Sequence, residues 1–282
     1  KAPIPFLSTV TDVVYHLTNP PPVALQSQSL SDLANTRIPG PPGSNVEILS
    51  YVARPSSSVD DDDDKPVLVM IHEFFGMNPS IVDKAKGLAE ELDCVVIAPD
   101  TFRGELTTFI PRAIWLALST PQKRVNEDLD AVCRWAEEQQ KKKKLSERGL
   151  AIMGFCYGGG KAIRYTTERK VDAATVIFYG SPLTDVDDLK NLRGPVCGIY
   201  GADDMQFPAS MIDAFRDALN EVMWLSGGGN KSPLHGSEVT VFDGVGHAFW
   251  KDMEQVKRGD QPQLDAYERC VSFLRRFFDE KR

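Results

Sequence analysis

A thiol, a carboxylate and an imidazole stand in this chain at Cys156, at Asp203 or Asp204, and at His247, each just after a run with strand character. Cys156 lies in Gly154-Phe155-Cys156-Tyr157-Gly158, after the apolar run Leu150, Ala151, Ile152, Met153 and before residues with helical character. Glycines on both sides of a nucleophile permit a sharp strand-to-helix turn that lifts its side chain above a sheet. The turn alone is weak evidence, because a cysteine after a strand is more often an inert core thiol. The acid and the imidazole strengthen it. His247 sits in Gly244-Val245-Gly246-His247, a loop able to bring a ring over the sheet. Of the other histidines, His16 and His235 fall in extension or loop segments, and His72 reads as packed against its strand. Such a set does nucleophilic chemistry: the acid orients the imidazole, the imidazole takes the thiol proton, and the thiolate attacks a carbonyl. A thiol of ordinary pKa ~8.5 is mostly protonated at neutral pH. Cys156 is therefore expected to gain acidity from the amides opening its helix and from the charged ring.

The elements that must position these groups follow from hydrophobic patterning. Strand runs are predicted at residues 46–52, 67–71, 95–98, 150–153, 173–179, 196–200 and 239–242. Most are continuous apolar runs, the pattern of strands covered on both faces. Ile81, Ala85, Leu88 and Leu92 form one helical stripe, with Asn78 as cap and Pro79 in the first turn. Further helices are predicted after Thr120-Pro121 (Val125, Leu129, Val132), after Pro208 (Met211, Phe215, Leu219) and at the end (Leu264, Tyr267, Val271, Leu274, Phe278). Alternating strands and helices imply an α/β fold with a mainly parallel central sheet and helices on both faces. Ligands of such sheets bind beyond the carboxyl ends of the strands. Standing there are His72, Glu73 and Phe74; Pro99, Asp100 and Arg103; Cys156; Asp203 and Asp204; and His247.

Residues 1–45 are proline-rich and read as an N-terminal extension, with a β-like patch at Val13, Val14 and Tyr15; residues 46–282 read as one domain. The runs VDDDDDK (59–65) and KKKK (141–144) are expected to be a solvated loop and an exposed helix end. The chain has 282 residues and is 42% hydrophobic, a globular composition, and its net charge of −8 argues against a nucleic-acid partner. Its five cysteines lack the close pairs of a zinc site, so no metal or other cofactor is expected, and their spacing suits a reducing compartment, cytoplasm or organellar matrix. No run reaches the ~18 apolar residues of a membrane span. The chain opens on Lys1 without a hydrophobic signal core, as a processed or truncated form would. A monomer or homodimer is expected.

Five motifs carry a resemblance: IHEFFGMN (71–78), APDTFRG (98–104), GFCYGGG (154–160), YGADDMQFP (200–208) and DGVGHAFW (243–250). Their chain order, nucleophile then acid then histidine, is that of α/β-hydrolases, and from about residue 46 onward the sequence resembles the dienelactone hydrolase family. The resemblance implies an α/β-hydrolase fold and a triad of Cys156, Asp204 and His247. It selects Asp204 over Asp203 by its place four residues before Pro208; spacing alone leaves both open. It implies that Glu73 pairs with the resting thiol and shares in its activation. The elbow is expected to supply the backbone N–H of Tyr157 to an oxyanion, and the loop after the second strand that of Phe74. The resemblance also implies cationic carboxylate binding by Arg103 and by the residue at Lys251, where relatives carry arginine; a lysine lacks the planar fork. The segment Phe109, Ile110, Ala113, Ile114, Trp115, Leu116 suits either a cap over the pocket or core packing. The expected function is a cysteine-dependent hydrolase of small carboxylic esters or lactones, anionic ones included, acting through a thioester. The alternatives are a hydrolase of another ester or thioester on the same triad, a catalytically silent ligand-binding homologue, and a redox sensor built on Cys156. Turnover of p-nitrophenyl acetate that disappears in Cys156→Ala separates the hydrolases from the silent homologue.

Overall fold

The structure, a computed structural model, describes residues 29–57, 64–139 and 144–281. The β-like patch at residues 13–15, His16, and most of the aspartate and lysine runs lie outside these residues. Eight strands form one sheet: β1 (Thr36–Pro39), β2 (Glu47–Ala53), β3 (Val67–Ile71), β4 (Val95–Pro99), β5 (Leu150–Phe155), β6 (Ala174–Phe178), β7 (Val196–Gly201) and β8 (Glu238–Phe242). Their order across the sheet is β1-β2-β4-β3-β5-β6-β7-β8. The β1/β2 and β2/β4 pairs are antiparallel and all later pairs are parallel.

The apolar runs form strands because helices cover both of their faces. Every residue of β3, β4, β5, β6 and β7 is buried, and each large aliphatic side chain so enclosed contributes about 1.5–3 kcal/mol. The helices Pro79–Leu92 and Gln263–Lys281 pack with one face of the sheet, and Gln122–Gln139 closes part of the other. Asn78 caps the first of these, its side-chain oxygen accepting from Ile81 N at 3.2 Å.

One strand departs from the sequence reading. Thr36–Pro39, within the stretch read as an extension, pairs residue by residue with β2, from Thr36↔Ser50 to Pro39↔Glu47. Only Ile38 of this strand is buried, so it carries no apolar run, and the hydrogen bonds to β2 are what recruit it.

From β3 the chain crosses to β4 on one side and then returns to place β5 on the other, with Ile71 opposite Gly154. A crevice opens beyond the carboxyl ends of two strands whose connections leave in opposite directions. The loops after β3 and β5 meet at that point.

Candidate active site

Cys156 is the single residue between β5 and the helix Tyr157–Arg169, and it adopts φ 50°, ψ −113°. A side-chain-bearing residue in such a conformation costs of order 1–3 kcal/mol and persists only where its surroundings impose it. Here the amide of Cys156 donates to Phe178 O at 2.9 Å and its carbonyl accepts from Gly160 N at 3.2 Å. The flanking glycines are required by space. A Cβ on Gly154 would stand 2.1 Å from the carbonyl carbon of Gly158, and one on Gly158 would stand 2.4 Å from Ile71 O.

The structure brings Cys156, His247 and Asp204 together. His247 Nε2 lies 3.0 Å from Cys156 Sγ, and Nδ1 lies 2.8 Å from Asp204 Oδ2. Of the two adjacent acids, Asp203 is exposed and Asp204 buried. The amides of Gln206 and Phe207 donate to Asp204 Oδ1 at 2.8 and 3.2 Å, which leaves Oδ2 for the ring. Burial opposes charge on His247, but the Cys156 sulfur and the Asp204 carboxylate outweigh it and hold the ring well above its ordinary pKa of 6.5. An imidazolium beside a thiolate is the state in which the sulfur attacks.

His72, Glu73 and Phe74 follow β3. His72 is buried; its Nε2 accepts from the Thr101 amide at 3.1 Å and lies 2.9 Å from Thr101 Oγ1. The ring proton therefore sits on Nδ1, which donates to the Glu73 carbonyl at 2.6 Å. Gly76 N donates to the same oxygen at 3.1 Å. In a trans peptide the N–H points opposite to the C=O, so these two donors fix the direction of the Phe74 amide. The Tyr157 amide opens its helix and has no intrahelical partner.

Glu73 is half-buried, and its Oε1 accepts from the Tyr179 hydroxyl at 3.3 Å. That hydroxyl also lies 3.1 Å from Trp250 O, and the Tyr179 ring meets His247 edge-on at 5.4 Å. Tyr179 is a site residue that sequence reasoning misses, because an aromatic closing an apolar run reads as core. Its φ of 39° is the signal the structure adds. Among the described residues, side chains with positive φ that do not end a helix are Arg103, Cys156, Tyr179 and Ala248, all in loops at the carboxyl ends of strands.

The two residues expected to bind a substrate carboxylate, Arg103 and Lys251, stand in different surroundings. Arg103 makes two bonds to the buried Asp128, Nε–Oδ2 at 3.1 Å and Nη2–Oδ1 at 2.6 Å. Burial pushes the Asp128 carboxyl above its ordinary value against the pull of Arg103. The guanidinium is thus bound to the helix Gln122–Gln139, whereas the Lys251 side chain is exposed. The apolar segment after residue 108 forms the helix Ile110–Ser119, which packs beside the site. Its Ala113 joins Phe74 and Phe75 in a small buried cluster that Cys156 and Tyr157 also touch, while Phe109 and Trp115 are 68% and 53% exposed. Among the described residues no group of three or more His, Cys, Asp or Glu side chains is arranged to hold a metal, and no helix is long and apolar enough to cross a membrane.

Comparison with known proteins agrees with this fold. A "Putative carboxymethylenebutenolidase" of Salmonella typhimurium is 30% identical over 75% of this chain and 76% of its own length. A protein of the same name from Escherichia coli K12 is 27% identical over 85% of this chain and 86% of its own. The crystal structure of a "Putative Dienelactone Hydrolase" from Klebsiella pneumoniae superposes with TM-score 0.68 at 24% identity, covering 87% of this chain and 98% of that one. A dienelactone hydrolase-like promiscuous phosphotriesterase from metagenomic libraries superposes with TM-score 0.65 at 16% identity, over 86% and 97% of the two chains. The model of the dienelactone hydrolase family matches residues 48–278, and the chain belongs to that family.

Proposed function

We propose that the chain hydrolyses carboxylic esters or lactones with Cys156 as nucleophile, through a thioester acyl-enzyme. The observation that carries this reading is the continuous line from Asp204 Oδ2 through His247 to Cys156 Sγ, at 2.8 and 3.0 Å, on a nucleophile turn at the switch point of the sheet. The thiolate adds to the substrate carbonyl; a C–S bond forms and the carbonyl π pair moves to oxygen. The amides of Phe74 and Tyr157 are the donors assigned to that oxyanion. When the tetrahedral adduct collapses, the C–O bond to the leaving group breaks and His247 Nε2 gives its proton to the departing oxygen. Water, relieved of a proton by the same nitrogen, then attacks the thioester, and the acid and the thiolate separate. Asp204 keeps the ring in one orientation and stabilises its charged form throughout. Glu73 is assigned to the activation of the thiol. A thiolate also leaves readily, so esters with a stabilised leaving group, enol lactones among them, suit the site better than amides do. The name carried by the curated relatives, carboxymethylenebutenolidase, supports the lactone.

The test is turnover of p-nitrophenyl acetate together with mass spectrometry of the acid-quenched enzyme. Wild type is expected to turn over and to carry an acetyl group on Cys156, and Cys156→Ala to do neither. Undiminished hydrolysis by Cys156→Ala would overturn the proposal.

The Arg103–Asp128 pair favours a second reading of the substrate. With its charge matched by a buried carboxylate, Arg103 has less to offer a substrate anion, and a neutral ester becomes the better fit. Comparing kcat/KM of Arg103→Ala on an anionic and a neutral ester decides between them: a selective loss on the anionic one supports carboxylate binding, and an equal effect supports the neutral substrate.

A further inference from the structure

The buried stripe of the helix Pro79–Leu92 consists of Ile81, Val82, Ala85, Leu88, Ala89, Leu92 and one cation, Lys84, which is 1% exposed. Its Nζ lies 3.0 Å from Ser80 Oγ and 2.9 Å from the Lys251 carbonyl, over the rings of Phe155 at 4.9 Å and Trp250 at 5.2 Å. Ser80 Oγ gives its own hydrogen to the same Lys251 carbonyl, so toward Lys84 it is an acceptor. A carbonyl oxygen, a hydroxyl lone pair and two aromatic faces all present negative charge. They match an ammonium with three donors, whereas the lone pair of a neutral amine would meet no donor. Burial lowers the pKa of Lys84, against the pull of Glu73 first, then Asp252 and Asp83.

A chain of contacts leads from this charge to Glu73. Lys251 O is held by Lys84 and Ser80; Trp250 O, one residue back, lies within reach of the Tyr179 hydroxyl, which also reaches Glu73. That hydroxyl has one hydrogen for two acceptors. The backbone contact at Lys251 does not need the lysine, because Ser80 donates to the same oxygen. What Lys84 adds is charge. We propose that Lys84 is a positioning residue, a buried ammonium behind the active site that orients Glu73 through its field without touching substrate. This rests on the assignment of Glu73 to thiol activation.

Lys84→Met keeps the length of the side chain and removes the charge. Ser80 still donates to the Lys251 carbonyl in this variant, so that oxygen keeps a donor and the melting temperature is expected to hold. On p-nitrophenyl acetate kcat is expected to fall about tenfold while KM stays within about twofold, the pattern of a lost contribution to the chemical step. In a Glu73→Gln background the same exchange is expected to cost less than about twofold, because the carboxylate it acts on is gone. An unchanged kcat, or equal losses in both backgrounds, would overturn the proposal. Lys84→Gln keeps a donor for Lys251 O, removes the charge and is expected to repeat these results, so it carries the test should the methionine variant not fold. Cys156→Ala separates the two failures. Residual turnover there defeats the proposed function, whereas complete loss there with a silent Lys84→Met defeats only this inference.

Discussion

Two buried histidines, His72 at the end of β3 and His247 after β8, share a composition of surroundings and differ in wiring. Each has a carboxylate nearby, Asp100 at 3.6 Å from His72 and Asp204 at 2.8 Å from His247. At His72 the Nε2 atom already accepts from the Thr101 amide and Nδ1 is committed to a backbone carbonyl, so both nitrogens are spent on structure. At His247 the carboxylate takes Nδ1 and leaves Nε2 facing sulfur. A histidine beside an acid becomes a base only where its second nitrogen is left to the reaction. The loop after β3 uses its imidazole to aim an amide, whereas in the proposed mechanism the loop after β8 uses its own to move a proton.

Substitutions can break this contrast or sharpen it. His247→Ala is expected to lower kcat by three or more orders of magnitude, a loss on the order of that seen when a triad base is removed. Asp204→Asn keeps the shape of the site and is expected to cost about 10²–10⁴ in kcat, because the amide no longer stabilises the charged ring. His72→Phe removes both ring hydrogen bonds and leaves the buried Thr101 amide without its acceptor. An unfolding titration is expected to show a loss of about 1–3 kcal/mol, with turnover reduced by about tenfold as the Phe74 amide loosens. A loss as large as that of His247→Ala would erase the distinction between the two rings. Cys133→Ala is the smallest, with turnover near that of wild type. Burial pushes the Cys133 thiol up to about 12, so it stays protonated at neutral pH. Iodoacetamide at pH 7, followed by peptide mapping, is expected to label Cys156 first.

Much of this arrangement is legible in the sequence because it is written locally. The glycines around Cys156 stand within two residues of it, the strands β3 to β7 are continuous apolar runs, and the order of nucleophile, acid and histidine is read along the chain. What escapes is set by contacts between distant segments. Thr36–Pro39 carries one buried side chain and is a strand only because β2 lies beside it. Arg103 stands in a loop that suits an anion, yet its partner Asp128 lies on a separate helix, and nothing in the spacing announces that pair. Tyr179 and Lys84 reach the site from β6 and from the helix Pro79–Leu92 through residues far along the chain. Lys84 did leave a trace, since it falls on the same helical stripe as Ile81 and Leu88, where a cation is out of place.

The absence of a Cβ on Gly158 has a further consequence. With its Cα this close to the carbonyls of Ile71 and His72, the start of the nucleophile helix and the end of β3 touch backbone to backbone, with no side chain between them to act as a spring. That contact limits how closely the two segments carrying the amides assigned to the oxyanion can approach. Warming the enzyme is expected to change its speed along a straight Arrhenius line until the whole domain melts, with no earlier break.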